Sequence, residues 1–488
     1  MRNLYAEHVP EALLTAERLV RRFARDTNLL VAGRTFDVIG EGDVPDELRT
    51  LLVRLGARVG DGAVAFVPGE EAEILLDGAP FPPREGADDR IDFAGDHMPV
   101  SRDIAARLRD TGAVRGVRIG IAMVLEPKTA QLALLLRDAG AEVAVYAHPD
   151  EIDVDVAAAL PARGIPVDGD PALSGVAERE AAVAFLRRGH ELLLDDGSHL
   201  IRLAHEADVL ADLRGAAEET TSGLTPLRRM AAEGALRIPV IAVNDAPMKT
   251  AFDNRYGTGQ SCVFAIADVL DVAGIGIRDQ PAVVVGYGPV GEGVAAHLRA
   301  LGAAVGVTET DPVRALRAAH DGYAIGLLSD LAPNALVVSA TGAPHTIDAE
   351  TLRAARVVAV AGGVPEEVDL DPTSLQPVSH AGAVLPHLEQ VGDGALLVAR
   401  GGCVNLAAAE GNPIEIMDLS FAVQLSAVEQ LLASPLPAGV HPFPGDADEL
   451  VARAALAARG EAVDVRSTAQ QRAQQDWRSP RYRREDVA

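Results

Sequence analysis

The 488-residue sequence predicts an α/β protein built on parallel sheets, and three observations carry that prediction. From Val117 onward, short apolar runs alternate with helical patterns, the order that builds a parallel sheet. Hydrophobic residues make up 48% of the chain and aromatics only 3%, so Ala, Val and Leu must pack the layers. The third observation is local: an apolar run over 281–285 ends in a G-x-G-x-x-G turn and leads into a helical pattern.

Taken in order, the first 95 residues read as a unit of their own, with an amphipathic helix over 11–25 and strand-like runs at 36–39 and 63–67. Its Pro-, Gly- and Asp-rich exit, 77–95, reads as a linker. Strands are then expected at 117–124, 141–146, 192–194 and 240–243, forming a first α/β layer. A second layer begins near Ala251, has strands around Val283, Ala304, Ala335 and Val357, and runs to about Asn412. The helical pattern over 416–432 and its Pro-rich exit lead back to the first layer, and residues 470–484 form a polar basic tail. The expected division is therefore 1–95, a split domain of 96–250 with 413–460, an inserted domain of 251–412, and a tail of 461–488.

Charge and composition exclude several classes. With 44 basic against 71 acidic residues the formal charge is −27, which disfavours nucleic acid or an anionic membrane as partner. No apolar run spans a bilayer and no leader pattern opens the chain, so a cytoplasmic location is expected. Cys262 and Cys403 are the only cysteines, which excludes a disulfide framework or thiolate zinc cluster. The twelve histidines show no ligand spacing, and no metal is expected.

The glycine turn carries chemistry. Gly286 makes a tight turn, Gly288 lets the backbone approach a pyrophosphate, and Gly291 lets the helix pack on its strand, with the helix N-terminus facing the phosphates. A second strand over 303–308 is closed by Glu309, 23 residues after Gly286, where a carboxylate accepts hydrogen bonds from a ribose diol and repels a 2′-phosphate. This is a Rossmann reading that favours NAD over NADP. Just upstream, a run of charged and amide side chains over 244–257 contains Lys249 and Asp253, either an ordinary i,i+4 helix pair or a catalytic pair beside the cofactor. A lysine buried beside carboxylates can act as a base, since desolvation lowers its pKa. Asp196 and Glu219 read as a turn carboxylate and a helix cap, or as members of the same site.

Four segments in order, LDDG at 194–197, EETTSG at 218–223, the 244–257 run with GYGPVGEG, and VNLAAAEGNP at 404–413, resemble the S-adenosylhomocysteine hydrolase family over roughly residues 96–488. The resemblance implies a Rossmann NAD domain inserted into a split α/β substrate domain, with residues 1–95 as an extra N-terminal unit. It implies tightly bound, recycled NAD and a tail that reaches a neighbouring subunit's cofactor, hence a homodimer or homotetramer. The implied reaction oxidises C3′ of a nucleoside so that C4′ becomes acidic, removes the C4′ proton, expels the 5′ substituent and restores the 3′ alcohol. Carried over residue by residue, Lys249 and Asp253 sit at the 3′ and 2′ hydroxyls with Glu219 on the same face. Thr220, Thr221, Ser222, Asn254 and Asn405 contact NAD, and Tyr482 belongs to the tail.

The 5′ side departs from the family. A family histidine and threonine after the first strand are Val124 and Glu126 here, a Gly-His-Phe motif is replaced within 361–365, Asn412 stands where a third histidine is usual, and Thr258 replaces a cysteine. Asp196 is then the expected 5′-side acid or base, with His199 or Glu126 as substitutes, although His199 also reads as a surface loop residue. Glu126, Thr129, His199 and Asn412 form the expected substrate contacts. The expected activity is elimination of water from a small-molecule adenine nucleoside to leave a 4′,5′ alkene, a lyase of specialised nucleoside metabolism. An authentic S-adenosylhomocysteine hydrolase and a catalytically silent NAD-binding homologue are the alternatives.

Overall fold

The computed structural model describes residues 10–69, 72–81, 84–364, 366–380 and 382–478. Its architecture is α/β, with three sheets. The first is mixed and lies wholly in the N-terminal region: β1 (Thr35–Val38), β2 (Arg58–Val59), β3 (Val64–Val67), β4 (Glu73–Leu76) and β5 (Ala79–Pro80), in the order β2-β1-β3-β4-β5. The Glu11–Thr27 helix covers it, with Phe23 edge-on to Phe36 at 5.1 Å and Phe36 stacked on Phe66 at 5.5 Å. The expected linker is not one. It contains β5 and the Ala87–Asp96 helix, which buries Ile91 and Ala94 and receives a 2.6 Å hydrogen bond from Gln131 to the Ile91 carbonyl. Two inward apolar residues among five aspartates and glycines leave too faint a period to show in sequence.

The second sheet is all parallel and holds β6 (Arg118–Ala122), β7 (Glu142–Tyr146), β8 (Val167–Asp168), β9 (Leu192–Asp195), β10 (Gly215–Glu218) and β11 (Pro239–Ala242). The third holds β12 (Pro281–Val285), β13 (Ala304–Thr308), β14 (Ala324–Ile325), β15 (Leu336–Ser339), β16 (Val357–Val360), β17 (Leu375–His380), β18 (Ala383–Val391) and β19 (Leu396–Val398). Its order is β14-β13-β12-β15-β16-β19-β18-β17, parallel except for the β17 and β18 hairpin edge. The chain then returns through the Ile414–Ala433 helix to β20 (Gly439–Pro442), which pairs in parallel with β11 and completes the second sheet as β20-β11-β10-β9-β6-β7-β8. The third sheet is thus inserted into the second, a Rossmann layer within a split α/β layer. The returning helix is 20 residues long and apolar enough to cross a membrane, but 67% of its apolar 18-residue window is buried, which fits a core helix.

Both parallel sheets reverse their winding, the second between β6 and β9 and the third between β12 and β15. Ligand crevices open at such points, beyond the carboxyl ends of the strands. The two crossings between sheets, 243–280 and 399–438, pass between these crevices.

Candidate functional site

The carboxyl ends of β9, β10 and β11 supply the acidic and basic groups of one crevice. After β11 the chain makes a short turn, a one-turn helix (Pro247–Lys249) and then a π-helix, Thr250–Gly257. Such wide turns mark functional sites because they re-aim side chains that an α-helix would spread around its surface. Here they aim Lys249, only 3% exposed, between Asp253 at 2.7 Å and Glu219 at 3.9 Å, with Asn254 Oδ1 at 3.0 Å and Asn244 Oδ1 at 3.5 Å. Lys249 and Asp253 are therefore not a solvated helix pair.

The electrostatics reverse one expectation. Burial does push the Lys249 ammonium down, but Asp253 and Glu219 outweigh it, and the pKa is raised. In this arrangement Lys249 is a held cation. Burial pushes Glu219 up to about 7 against the opposing pull of Lys249. Its two oxygens accept from Ser420 Oγ and, at 2.6 Å, from Gln424 Nε2, both on the Ile414–Ala433 helix. Both donors are buried polar residues one turn apart on that helix.

Asp196 follows β9, with its pKa raised by burial while Lys249 and Thr220 pull it down. Behind it, Asp195 accepts from the backbone N–H groups of Asp196 (3.1 Å) and Ile201 (2.8 Å), and Glu218 from those of Gly197 (3.0 Å), Ser198 (2.9 Å) and Thr220 (2.9 Å). These buried carboxyls fix the 196–201 turn, and burial pushes Asp195 up to about 8. In the loop after β7, burial and then the negative Asp196 push Glu151 up to about 8 as well. His199 is exposed at the start of its helix, its ring 5.1 Å from that of His148, and partial burial and then the His148 charge push it down. The structure brings Lys249, Asp253, Glu219 and Asp196 together and leaves His199 on the rim.

The expected substrate contacts divide. Asn412 donates to Asp253 Oδ1 at 2.5 Å and to Thr258 Oγ1 at 3.1 Å, and its carbonyl accepts from Ser261 (2.7 Å) and Asn405 (3.0 Å). It is part of the site. Glu126 instead caps the Pro127–Asp138 helix, accepting from the N–H groups of Lys128 (2.9 Å) and Thr129 (3.2 Å) and from the buried Lys128 ammonium at 2.7 Å. Thr129 turns its hydroxyl to the Val124 carbonyl at 2.7 Å and to Glu126 at 3.3 Å. A residue before a helix-starting proline, with donors two and three positions on, was the readable sign of a cap.

The cofactor residues fit NAD. Gly286 has φ +92°, and a Cβ there would lie 3.1 Å from the Ala340 carbonyl oxygen across the crevice. Over Gly288 only the Arg314 guanidinium comes near, at 3.4 Å, so the backbone is open to a pyrophosphate and already faced by a cation. A Cβ on Gly291 would collide with the Gly286 carbonyl, and one on Gly293 with that of Arg255, so the Pro289–Ala300 helix lies directly on the π-helix that carries Asp253 and Asn254. Glu309 points back at the turn and accepts from the N–H groups of Tyr287 (2.6 Å), Thr310 (2.6 Å) and Asp311 (2.9 Å); despite desolvation, these donors hold its pKa below the usual value. Thr220 caps the Thr221–Ala232 helix, Ser222 donates to it at 3.2 Å, and Thr221 is exposed on the first turn. Asn254 bonds Lys249 and Asn405 bonds Asn412, so both lie at the junction of the two crevices. Tyr482 lies outside the described residues.

With this geometry in place, comparison with known proteins is direct. The model of the S-adenosyl-L-homocysteine hydrolase NAD-binding domain matches residues 254–411. An adenosylhomocysteinase of Archaeoglobus fulgidus is 37% identical over 400 residues, covering 80% of this chain and 98% of its own. An S-inosyl-L-homocysteine hydrolase of Methanothermobacter thermautotrophicus is 36% identical over 400 residues (80% and 95%), and an adenosylhomocysteinase of Thermotoga maritima 35% over 400 residues (80% and 98%).

Proposed function

The chain belongs to the S-adenosylhomocysteine hydrolase family and is an NAD-dependent enzyme of that kind; from that premise we propose that it oxidises an adenine nucleoside transiently at C3′ and eliminates water from its 5′ position. The observation that supports this reading is a site whose expected sugar-oxidising groups, Lys249, Asp253 and Glu219, are assembled, while the expected family histidines are replaced by Val124, Asn412 and the 361–365 segment and the carboxyls of Asp196 and Glu151 remain nearby.

NAD, when bound, supplies reversible oxidation of the 3′ carbinol. Lys249 is the group that takes the 3′-hydroxyl proton, and substrate is what frees it to do so. A sugar diol donating to Asp253 and Glu219 draws both carboxylates off the ammonium, leaving burial, which lowers its pKa. Asn412 keeps Asp253 aimed at the diol. Once C3′ is a ketone, Asp196 takes the C4′ proton, the C4′–C5′ double bond forms as the 5′ C–O bond breaks, and Asp196 returns that proton to the departing hydroxyl, which leaves as water. That makes Asp196, its pKa raised by burial against the pull of Lys249 and Thr220, both base and acid on the 5′ side. Restoring the 3′ alcohol leaves the alkene and one water.

A second reading, hydrolysis of S-adenosylhomocysteine or a close thioether, is favoured by the identity to hydrolases that act on adenosyl and inosyl thioethers. Mass spectrometry separates the two. Purified protein is incubated in heavy water with S-adenosylhomocysteine, or with free adenine nucleosides carrying ribose or a ketohexose. Loss of water from a free nucleoside supports the dehydratase. Homocysteine release overturns it in favour of the hydrolase, and no change in any substrate points to a silent homologue.

A further inference from the structure

Among the contacts that join the N-terminal unit to the rest of the molecule, residues 28–31, which follow the Glu11–Thr27 helix, reach both chain crossings. Asn28 takes the left-handed conformation, φ 52°, and is 7% exposed. Its side-chain oxygen accepts from the buried Lys128 ammonium at 2.9 Å, and the same ammonium donates to the Glu410 carbonyl at 2.8 Å. The Asn28 backbone carbonyl accepts from Ile414 N–H at 2.9 Å, and Leu30 N–H donates to Glu415 at 3.0 Å. Residues 410 and 414–415 are thus pinned on both sides of Asn412, whose amide reaches back to Asp253.

The same segment also grips the other crossing. Val31 N–H donates to Gln260 Oε1 at 2.8 Å, and Gln260 Nε2 to the Leu29 carbonyl at 3.0 Å, a closed pair of bonds on the Thr258–Val272 helix. Buried Arg21 adds ion pairs to Asp268 and, at 3.1 Å, to Asp271 on that helix. Both chain crossings between the parallel sheets are therefore tied to one four-residue stretch, and both carry site residues, Asp253 on the first and Asn412 on the second.

We propose that residues 28–31 brace the two crossings so that Asn412 stays set against Asp253, with Asn28 and Lys128 as positioning residues for the reaction. The inference rests on Asp253 being the sugar-binding carboxylate of the proposed function. Its physical basis is preorganisation: a displacement of about 1 Å in a group that aligns the reacting atoms can cost about a hundredfold in rate, whereas loss of a peripheral contact costs stability alone.

The test uses the full-length protein with its NAD and three forms of one residue. Asn28→Gly keeps the left-handed backbone and deletes the side-chain bonds to Lys128 and to the Gly411 carbonyl, while Asn28→Asp keeps the acceptor for Lys128 and loses only the longer bond to Gly411. Hydrogen–deuterium exchange is measured over 404–416 and 250–262, with steady-state kinetics on whichever substrate the native protein converts. Asn28→Gly is expected to exchange faster in both segments and to lose about tenfold or more in kcat with little change in KM, and Asn28→Asp to restore most of both. Unchanged exchange in Asn28→Gly overturns the brace whatever the substrate proves to be. Faster exchange with native kcat, or a change in KM alone, overturns the positioning role. Homocysteine release by the native protein is a failure of the dehydratase reading and leaves this comparison intact.

Discussion

At the scale of single residues, the site stores its electrostatic work in one lysine and its carboxyl neighbours. Burial raises Glu219 from 4.5 to about 7, so the native state binds that proton more tightly than the unfolded chain does. Its contribution to stability is fully present below about pH 4.5 and is lost as pH rises through about 7, a loss of about 3 kcal/mol at ~1.4 kcal/mol per unit. Glu219→Gln carries no such charge. It should raise the melting temperature relative to the native protein at pH 8.5 and not at pH 4, while activity falls; equal shifts in thermal scans at both pH values would contradict the assignment. Lys249→Met is expected to abolish turnover and keep NAD, as cofactor release and quantitation would show, because Asn254, the cofactor residue it bonds, stays held by Asn244 and Thr250. The pairing of Lys249 with Asp253 was legible because both stand in one short run four residues apart. The Ser420 and Gln424 donors, 201 and 205 residues from Glu219, were not, since no local pattern reports a partner brought in by a returning helix. The sign of the Lys249 shift was missed for the same reason: burial was inferable, the count of converging carboxylates was not.

Elements explain why Glu126 sits differently from its expected role. It caps the Pro127–Asp138 helix and pairs with Lys128, which is 1% exposed. Glu126→Ala is expected to cost about 3–5 kcal/mol in denaturant unfolding, because it strands a buried ammonium with neutral acceptors only. Native stability together with weakened sugar binding would return Glu126 to the substrate. The close crossing of the Pro289–Ala300 and Thr258–Val272 helices gives a second prediction at this scale. A Cβ at Gly293 would push into the Arg255 carbonyl, and one at Gly259 into the Gly293 backbone. Gly293→Ala should therefore lower both NAD content and melting temperature, and a purified variant with full NAD would show that the π-helix can shift without consequence. Strands rich in Val and Ile were readable in advance. The missed β10, Gly-Ala-Ala-Glu in sequence, has no β-branched residue and is held by neighbours on both sides rather than by its own propensity.

Across the whole molecule, the two crossings and the tail decide how the parts work as one enzyme. A single contiguous core runs from Phe23 and Phe36 in the N-terminal unit through the Ile414–Ala433 helix to the third sheet, so the unit is built into the molecule rather than appended to it. The opposite end behaves otherwise. The Thr468–Gln475 helix has a complete capping box between Ser467 and Gln470 yet buries no residue, and Val465 and Trp477 flank it at 75% and 90% exposure. Eight isolated residues do not sustain a helix in water by propensity, and apolar side chains held this far out lack the burial that would stabilise them. The family resemblance leads to the expectation that a second copy of the chain covers this helix, the tail reaching the neighbour's cofactor crevice. Truncation before Gln470 should then release NAD and shift the protein to a smaller species in light scattering after size exclusion, while the three-sheet core stays folded by circular dichroism. If the truncated protein keeps both its NAD and its assembly, the tail is a solvated end and the cofactor is closed in by its own subunit alone.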